Sequence, residues 1–428
     1  MKRRLLYFLF VFLSIQFSCS PSEKDNVIYQ ILHQHPELFQ KVLDDPAKFR
    51  LQILYTQIDR DQNNFPRFTT YSYLVNENVY IYPASTVKLP AALLALEKLN
   101  NLKIAGLNKY TPLKIDSAYS GQDRVVTDTS AIDGLPTIAH YIKKIFLVSD
   151  NDAYNRLYEF LGQDYINQTL KEKGYQHSYL IRRLEKLLSP QENSATNPIT
   201  FYRGHEIIYQ QPLVVSSHIY QLDMPEIRQG KGYYRNDEFI PQPMDFSHSN
   251  FVSIADLQAY LKAIFFPEAI PESQRFNLTE DDYHFLYKYM GMLPRESEIK
   301  AYQDTSTYYD GYVKLFMFGD SKKRIPSHIR CFNKCGQSYG YLLDNAYIVD
   351  FENRIEFLLT AVIQVNENQI YNDDTYEYDE IGFPFMANLG RVIYDLERKR
   401  QREHYPNLSR YQVFDWIKND MIMENQRK

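Results

Sequence analysis

The chain has 428 residues, of which 44% are hydrophobic and 24% are charged, so its composition is that of a globular protein able to bury one large core or two moderate ones. Its formal net charge of -5 offers no basic surface signature. We therefore expect no nucleic-acid partner, because proteins that bind nucleic acids neutralise phosphates with clustered Lys and Arg.

The first element predicted is a leader at residues 1–19. Three basic residues precede an apolar run over residues 5–17, which is typical of a secretory signal rather than of a membrane-spanning helix. Cys19 then occupies the position of the lipidated cysteine in a bacterial lipoprotein signal, although Gln16 replaces the leucine usually found three positions ahead. We expect an exported, lipid-anchored protein of the cell envelope, in the periplasm or at the outer membrane. Ordinary cleavage and an uncleaved anchor are the alternatives.

The next chemically informative stretch begins near Ser85. Residues 49–58 and 67–83 have the pattern of two strands and are followed by an apolar helix. Lys88 lies one helical turn after Ser85, within reach of its hydroxyl. Ser85 can be a simple helix cap. Lys88 can lay the aliphatic part of its side chain along apolar surface while its ammonium group reaches water. Alternatively, a lysine made neutral by burial is the base that a serine nucleophile requires.

A polar break, "VSDND", separates two amphipathic helical stretches further along the chain. Asp150 or Asn151 can simply cap the second helix. If the break lies beside Ser85 and Lys88, however, the Ser149 hydroxyl can relay protons and the Asn151 amide can bind a substrate carbonyl, as acyl transfer requires.

The late part of the chain predicts an antiparallel meander, with strands at residues 330–335, 341–349 and 355–365. Side chains alternate along a strand, so Lys334 points away from its neighbours, and Gly336 lets the backbone approach another group closely. Taken alone, this lysine is more typical of a solvated residue before a turn.

Cysteine and histidine usage indicates no metal site. Cys331 and Cys335 are the only cysteines after the leader. Residues four apart on one strand lie about 13 Å apart, too far for a disulfide, so we expect two buried free thiols. His33 and His35 lie in a polar helical stretch with no further ligands nearby. We expect neither a metal nor any other cofactor.

Together and in this order, "STVK", "SDN" and "KCG" resemble the S-x-x-K, S-D-N and K-T-G motifs of class A β-lactamases and penicillin-binding proteins. The flanking segments "YPASTVKLP", "LVSDNDAYNRLYEFLG" and "AYIVDFENRIEFLLTAVI" extend the likeness. The sequence is therefore similar to the class A β-lactamase-like serine hydrolase family over about residues 46–400.

This resemblance implies an α/β (α+β) fold of the β-lactamase and transpeptidase-like type. A five-stranded antiparallel sheet would be flanked by helices and joined to an all-helical lobe, with the active site at their junction. The domain would span residues 46–400 and include an insertion at about residues 200–250, rich in Tyr, Pro and Gln, that reshapes or covers the cleft. A tether and short helices at residues 20–45 would precede it, and a helical tail at residues 401–428 would follow.

The resemblance also implies a role for each motif residue. Ser85 would be the acylated nucleophile, Lys88 its general base and Ser149 the proton relay. Four further residues would contact the substrate: Asn151 at an amide, Lys334 at a carboxylate, and Gly336 and Gln337 on the adjoining strand. The oxyanion would accept hydrogen bonds from the backbone amides of Ser85 and Gln337.

Two local departures from the family pattern affect these expectations. Cys335 stands where the family has Thr or Ser, so we expect an altered or absent hydroxyl contact there. The segment "RLEKLLS" matches R-x-E-x-x-L-N except that Ser189 replaces the final Asn. We expect Glu185 to support deacylation, with Glu192 as a competing candidate on the same stretch.

The function expected from these residues is acyl-enzyme hydrolysis of an amide bond, in a β-lactam or a related compound, by an exported serine hydrolase. One alternative is a D,D-peptidase-like enzyme acting on peptidoglycan peptides, which needs no efficient deacylating glutamate. The other is a non-catalytic envelope or peptidoglycan-binding protein that retains the cleft.

Overall fold

The computed structural model describes residues 26–119 and 121–413. It has the mixed α/β architecture predicted from the sequence, with an antiparallel sheet flanked by helices and a mainly helical lobe beside it. The predicted leader with Cys19 and the last part of the predicted tail lie outside the described residues. In the part of the chain that is described, no helix combines the length and the apolar character needed to cross a membrane.

The described ranges contain eleven α-helices. They are α1 (Val27–Gln34), α2 (Pro36–Leu43), α3 (Lys88–Leu102), α4 (Ile138–Val148), α5 (Asn151–Leu161), α6 (Gln163–Glu172), α7 (Pro190–Ser194), α8 (Ile254–Phe265), α9 (Glu280–Gly291), α10 (Leu315–Phe318) and α11 (Phe383–Lys399).

The same ranges contain sixteen strands, several of them only two or three residues long. They are β1 (Gln52–Arg60), β2 (Pro66–Tyr73), β3 (Leu113–Ile115), β4 (Ser178–Tyr179), β5 (Ile199–Arg203), β6 (Glu206–Gln211), β7 (Arg228–Gln229), β8 (Gly232–Arg235), β9 (Glu238–Ile240), β10 (Met244–Asp245), β11 (Phe251–Val252), β12 (Ile329–Asn333), β13 (Gly336–Ser338), β14 (Tyr341–Asp350), β15 (Ile355–Gln364) and β16 (Ile370–Tyr371).

The main sheet has the order β12-β14-β15-β1-β2, and β13 also pairs with β14. All of these pairings are antiparallel. The sheet is therefore five strands wide, as predicted, but it has six strands because the edge strand is divided at Lys334 and Cys335. Lys334 thus lies between β12 and β13, and its backbone amide donates to the Asn345 carbonyl at 3.1 Å.

Both faces of this sheet are covered. Along β14, Leu343 and Tyr347 pack in one hydrophobic core, whereas Leu342 and Ile348 pack in another on the opposite face. Helix α8 contacts the sheet on the first side and α11 on the second. Because side chains alternate between faces, a strand buried on both sides is mostly apolar, as β14 and β15 are. Their buried polar side chains are hydrogen-bonded: Asp344 accepts from Asn333, and Asn345 donates to the Leu257 carbonyl.

The amino-terminal helices belong to this folded unit. Ile28, Leu32 and Phe39 of α1 and α2 are buried in the second core together with residues of the sheet. The short helices predicted within residues 20–45 are present as α1 and α2, and they pack in the second core against the sheet.

The carboxyl-terminal segment differs from the predicted helical tail. In its described part, residues 401–413, the only helix is a single 3-10 turn at Ser409–Tyr411. Leu408 and Tyr411 are buried, and the Tyr411 hydroxyl donates to the Phe265 carbonyl at 2.7 Å. Aromatic packing holds this segment against the sheet domain in an irregular conformation.

The helical lobe is built around α3, whose residues are buried along most of its length. Helices α4 and α5 pack on it and on each other, and the turn between them faces the sheet edge. Residues 200–250 form the short strands β6 to β10 and connecting loops rather than helices, in agreement with their lack of helical period.

Candidate active site

Ser85 lies in a 3-10 turn, Ala84–Val87, that leads directly into α3. One turn later, the Lys88 Nζ lies 2.8 Å from the Ser85 Oγ. Ala84, immediately before the serine, has a φ of 47°, in the left-handed region that a residue with a Cβ seldom adopts. Such strain at the entrance to a helix is characteristic of functional sites.

Lys88 is a fully buried lysine rather than a surface one, since its exposed fraction is 0%. Its Nζ also lies 2.5 Å from the Asn151 Oδ1 and contacts the Ser149 carbonyl oxygen. Burial lowers the pKa of Lys88 well below its usual value, and the positive charge of Lys334 lowers it further. When neutral, Lys88 keeps two N–H groups for these two oxygens and directs its lone pair at the Ser85 hydroxyl.

Ser149 connects the two buried lysines. It ends α4 in the left-handed conformation, with a φ of 60°, and this places its Oγ 3.2 Å from the Lys88 Nζ and 2.8 Å from the Lys334 Nζ. Asp150 caps α5 by accepting from the Ala153 backbone amide at 2.7 Å. The capping role considered from the sequence for Asp150 or Asn151 therefore belongs to Asp150, and the Asn151 side chain contacts Lys88 instead.

Lys334 lies at the division between β12 and β13, and only 2% of it is exposed. In addition to Ser149, its Nζ donates to the Cys335 carbonyl at 2.7 Å, and burial lowers its pKa. The solvated lysine that its local sequence favours is thus not observed. Gln337, three residues after this lysine, lines the same cavity as Ser85.

Gly336 brings the edge of the sheet against the nucleophile. A Cβ at this position would lie 2.8 Å from the Ser85 backbone nitrogen and 3.0 Å from the Pro83 carbonyl oxygen. Such a contact would force the backbone apart, so only glycine fits here without a shift. The adjacent Cys335 packs in the second hydrophobic core, and burial raises the pKa of its thiol. Cys331 and Cys335 are both free and buried, as predicted.

Glu185 reaches the cleft on a loop that is held by side chains of α5. The side chain of Asn155 donates to the Leu184 carbonyl at 3.0 Å and accepts from the Leu184 amide at 2.8 Å. Arg183 forms a buried ion pair with Glu159 at 3.1 Å. Glu185 itself is exposed, has a φ of 53° and lines the cavity that contains Ser85.

The competing carboxylate on this stretch has another role. Glu192 accepts from the Ser189 backbone amide at 2.7 Å and from the Ser189 hydroxyl at 2.8 Å, and the Ser189 Oγ in turn caps α7. This reciprocal arrangement is a capping box. Of the two glutamates, the structure brings Glu185 to the cleft, and it uses Ser189 as a helix cap.

The cleft has a volume of about 350 Å³. Three of its lining residues, Tyr82, Arg182 and Tyr339, were given no role from the sequence, because each lies beside a motif and not at one of its defining positions. Among the described residues, no group of three or more His, Cys, Asp or Glu side chains is arranged to hold a metal ion.

Several solved structures match the chain at low sequence identity. They include PBP-A, with 13% identity and a TM-score of 0.48 over 87% of this chain and 97% of that chain. An ancestral (GNCA) class A beta-lactamase has 15% identity and a TM-score of 0.44 over 86% and 100% of the two chains. A beta-lactamase from Chitinophaga pinensis DSM 2588 has 13% identity and a TM-score of 0.44 over 84% and 99%.

Comparison with sequence families gives a direct match. No curated protein matches the chain. Residues 39–218, which include Ser85, Lys88, Ser149 and Glu185, match the model of the beta-lactamase enzyme family. This match confirms the resemblance to the β-lactamase and transpeptidase-like family that the three motifs predict.

Proposed function

We propose that this protein is a β-lactamase-like serine hydrolase that opens an amide bond, in a β-lactam or a related peptide, through an acyl-enzyme at Ser85. The observation that carries the proposal is the Lys88 Nζ, buried and 2.8 Å from the Ser85 Oγ at the floor of an open cleft. The family match over residues 39–218 supports the same class of enzyme.

Acylation follows from the site's contacts. Neutral Lys88 takes the hydroxyl proton as the Ser85 Oγ attacks the carbonyl carbon, and the carbonyl oxygen becomes an oxyanion. In this proposal the backbone amides of Ser85 and Gln337 donate to that oxyanion. The C–N bond then breaks, and Ser149 passes the proton from Lys88 to the departing nitrogen.

Deacylation requires a water molecule beside the ester. In this proposal Glu185 accepts a proton from the water while the water oxygen attacks the ester carbonyl carbon. The ester C–O bond breaks, the Ser85 Oγ regains a proton, and the acid product leaves. Glu185 is the only carboxylate among the described residues that line this cleft.

The experiment is covalent labelling with a fluorescent penicillin, followed by intact mass and peptide mapping. We expect one adduct, located on Ser85, and no labelling of the Ser85→Ala variant. Ser338→Ala is the matched control, because Ser338 also lines the cleft but has no lysine partner in this proposal. An adduct on another residue, or unchanged labelling of Ser85→Ala, contradicts the assignment.

A D,D-peptidase-like activity is the second candidate, and one observation favours it. Ser189 stands at the position of the family's Asn, and its side chain is committed to the cap of α7. If no group replaces that Asn in holding water near Glu185, the adduct clears slowly and the enzyme transfers rather than hydrolyses acyl groups. A non-catalytic binding protein, by contrast, forms no adduct at all.

We also propose export with a lipid anchor at Cys19. The support is the basic and apolar leader that ends at this cysteine. Two or more acyl chains on the mature amino terminus would anchor it stably. Mass analysis of the mature protein should find acylated Cys19 at its start, and a free thiol there or cleavage elsewhere contradicts the proposal.

A further inference from the structure

A second and larger cavity opens beside the Ser85 cleft. Its volume is about 790 Å³, and strands β7, β8 and β10 contribute much of its wall. The two cavities share four lining residues: Arg182, Leu187, Tyr339 and Asn372. A ligand bound at Ser85 can therefore extend past Arg182 without leaving the protein surface.

The wall of this second cavity is fixed to the segment that carries the nucleophile. Phe246 packs on Tyr82 and Tyr339, with ring centroids 5.7 Å apart in both pairs, and on Tyr371 at 5.5 Å. A Cβ at Gly230 would lie 2.6 Å from the Gln369 carbonyl oxygen, so the backbones are in direct contact here. This packing makes the cavity a formed feature and not a gap beneath a loose loop.

Arg182 lies half-buried at the junction of the two cavities. Its guanidinium makes two long hydrogen bonds, to the carbonyls of Arg183 at 3.3 Å and Lys186 at 3.4 Å. Among the described residues no carboxylate lies within ion-pair distance of it. A guanidinium in this position has donors to spare for an anionic group on a ligand.

Deeper in the cavity the charges are mixed. Arg235 is exposed and stacks over the Tyr233 ring at 5.3 Å, with no carboxylate at ion-pair distance among the described residues. Arg228 is already paired with Asp245 at 3.3 Å, and Asp237 lies on the same wall. The arginines free to bind an anion are thus Arg182, nearest to Ser85, and Arg235.

We propose that this cavity is a binding subsite for the acidic part of an extended peptide substrate whose scissile amide lies at Ser85. The inference rests on the proposed function, since it assigns the substrate of that same site. Arginine recognises carboxylates with paired hydrogen bonds, and the exposed Tyr234 ring offers a flat surface for a peptide. The two cavities together exceed the space that one compact small molecule fills.

Residues 228–245, within the insertion expected at about residues 200–250, form much of the wall of this subsite. The family match ends at residue 218, before β7 begins. Within the part of the chain that is described, residues 228–245 supply two of the three arginines at the cavity and two of its tyrosines. The insertion that was expected to reshape the cleft therefore extends it past Arg182 into the second cavity.

The test is fluorescence anisotropy with Ser85→Ala protein, which binds without reacting. The probes are fluorescein-labelled Ala-Glu-Ala-Glu-Ala and the matched Ala-Gln-Ala-Gln-Ala. We expect the glutamate peptide to bind roughly tenfold more tightly, and this preference to shrink at high salt, because ionic contacts at a partly exposed site are screened. Arg182→Gln and Arg235→Gln should each reduce the preference, and Arg67→Gln, an exposed substitution on β2, should not.

The outcomes separate this inference from the proposed function. Equal affinities for the two peptides, or an equal effect of Arg67→Gln, overturn the subsite. In wild-type protein, saturating glutamate peptide should slow penicillin labelling of Ser85, and an unchanged labelling rate overturns its assignment to the substrate of that site. If wild type is never labelled, the proposed function fails, whereas the anisotropy measurement still decides whether the cavity prefers acidic peptide.

Discussion

The centre of the site and its rim are built in opposite ways. At the centre, Lys88 and Lys334 are 0% and 2% exposed, and every polar group there has a close partner. At the rim, Glu185 and Arg235 are exposed and make no hydrogen bond or ion pair to other described residues. The centre is rigid and desolvated, and the rim presents free charges to whatever enters the cleft.

This difference suggests a division of roles in the proposed mechanism, with the chemistry at the buried centre and substrate selection at the exposed rim. Desolvation raises the free energy of a lysine's charged form, so burial favours the neutral form of Lys88, which is the base in the proposed mechanism. Rim charges interact mainly with ligand and solvent, so they affect which substrate binds and how the adduct is cleared. Substitutions at the centre should slow acylation or shift its pH dependence, and substitutions at the rim should change substrate binding or the clearance of the adduct.

The largest expected effect is at Lys88. Lys88→Ala should slow acylation by ~10²-fold or more, as loss of a general base does. Lys98→Ala is the matched control: Lys98 lies on the same helix, and burial lowers its pKa to about 8, but its Nζ contacts the Phe160 carbonyl instead of the site. The rate of penicillin labelling measures both variants. A similar loss in each would mean that a general defect of α3, and not the missing base, slows the reaction.

Glu185→Gln should act on the second step. Acylation should proceed at nearly the wild-type rate, while the adduct lifetime lengthens by ~10²-fold through loss of the base that activates water. Intact mass over time measures the lifetime. Glu192→Gln disturbs only the capping box of α7 and serves as the control. Equal lifetimes for wild type and Glu185→Gln would remove Glu185 from the mechanism.

Gly336→Ala tests the contact between the sheet edge and the nucleophile. Because the new Cβ would lie 2.8 Å from the Ser85 nitrogen, we expect a loss of about 1–3 kcal/mol in unfolding free energy, as overpacking causes, and slower acylation. Gly382→Ala is the control, since its nearest neighbour is a Leu342 methyl group at 3.2 Å. Thermal unfolding and labelling rates report the two effects. Wild-type stability and labelling of Gly336→Ala would show that β13 shifts easily to accommodate the added methyl group.

The smallest effect expected is a change in pH dependence. Acylation requires neutral Lys88, so its rate should fall as pH drops through the lowered pKa of that lysine. Lys334 depresses this pKa by charge repulsion, so Lys334→Met should raise it and move the acidic limb of the rate profile to higher pH. Lys186→Met, on the rim and paired with Asp123, should leave the limb in place. An unshifted limb in Lys334→Met would show that burial alone sets the pKa of Lys88.

The sequence by itself determined the sheet and the residues of the centre. Alternation and apolar runs predict β14 and β15, because strand periodicity is a local property. The pairing of Ser85 with Lys88 is also local, since one helical turn separates them. Ser149 and Lys334 were predicted only through the order of three motifs, because their contact joins positions 185 residues apart.

Tertiary structure alone decided the rest. Whether Lys334 is solvated or buried, and whether Glu185 or Glu192 reaches the cleft, depends on neighbours that no local pattern specifies. The inclusion of α1 and α2 in the core and the irregular packing of residues 401–413 follow from aromatic and aliphatic contacts across the molecule. The second cavity is likewise a long-range product. It exists because Phe246 and Tyr339, distant in sequence, pack together beside the nucleophile, and packing of that kind has no period along the chain.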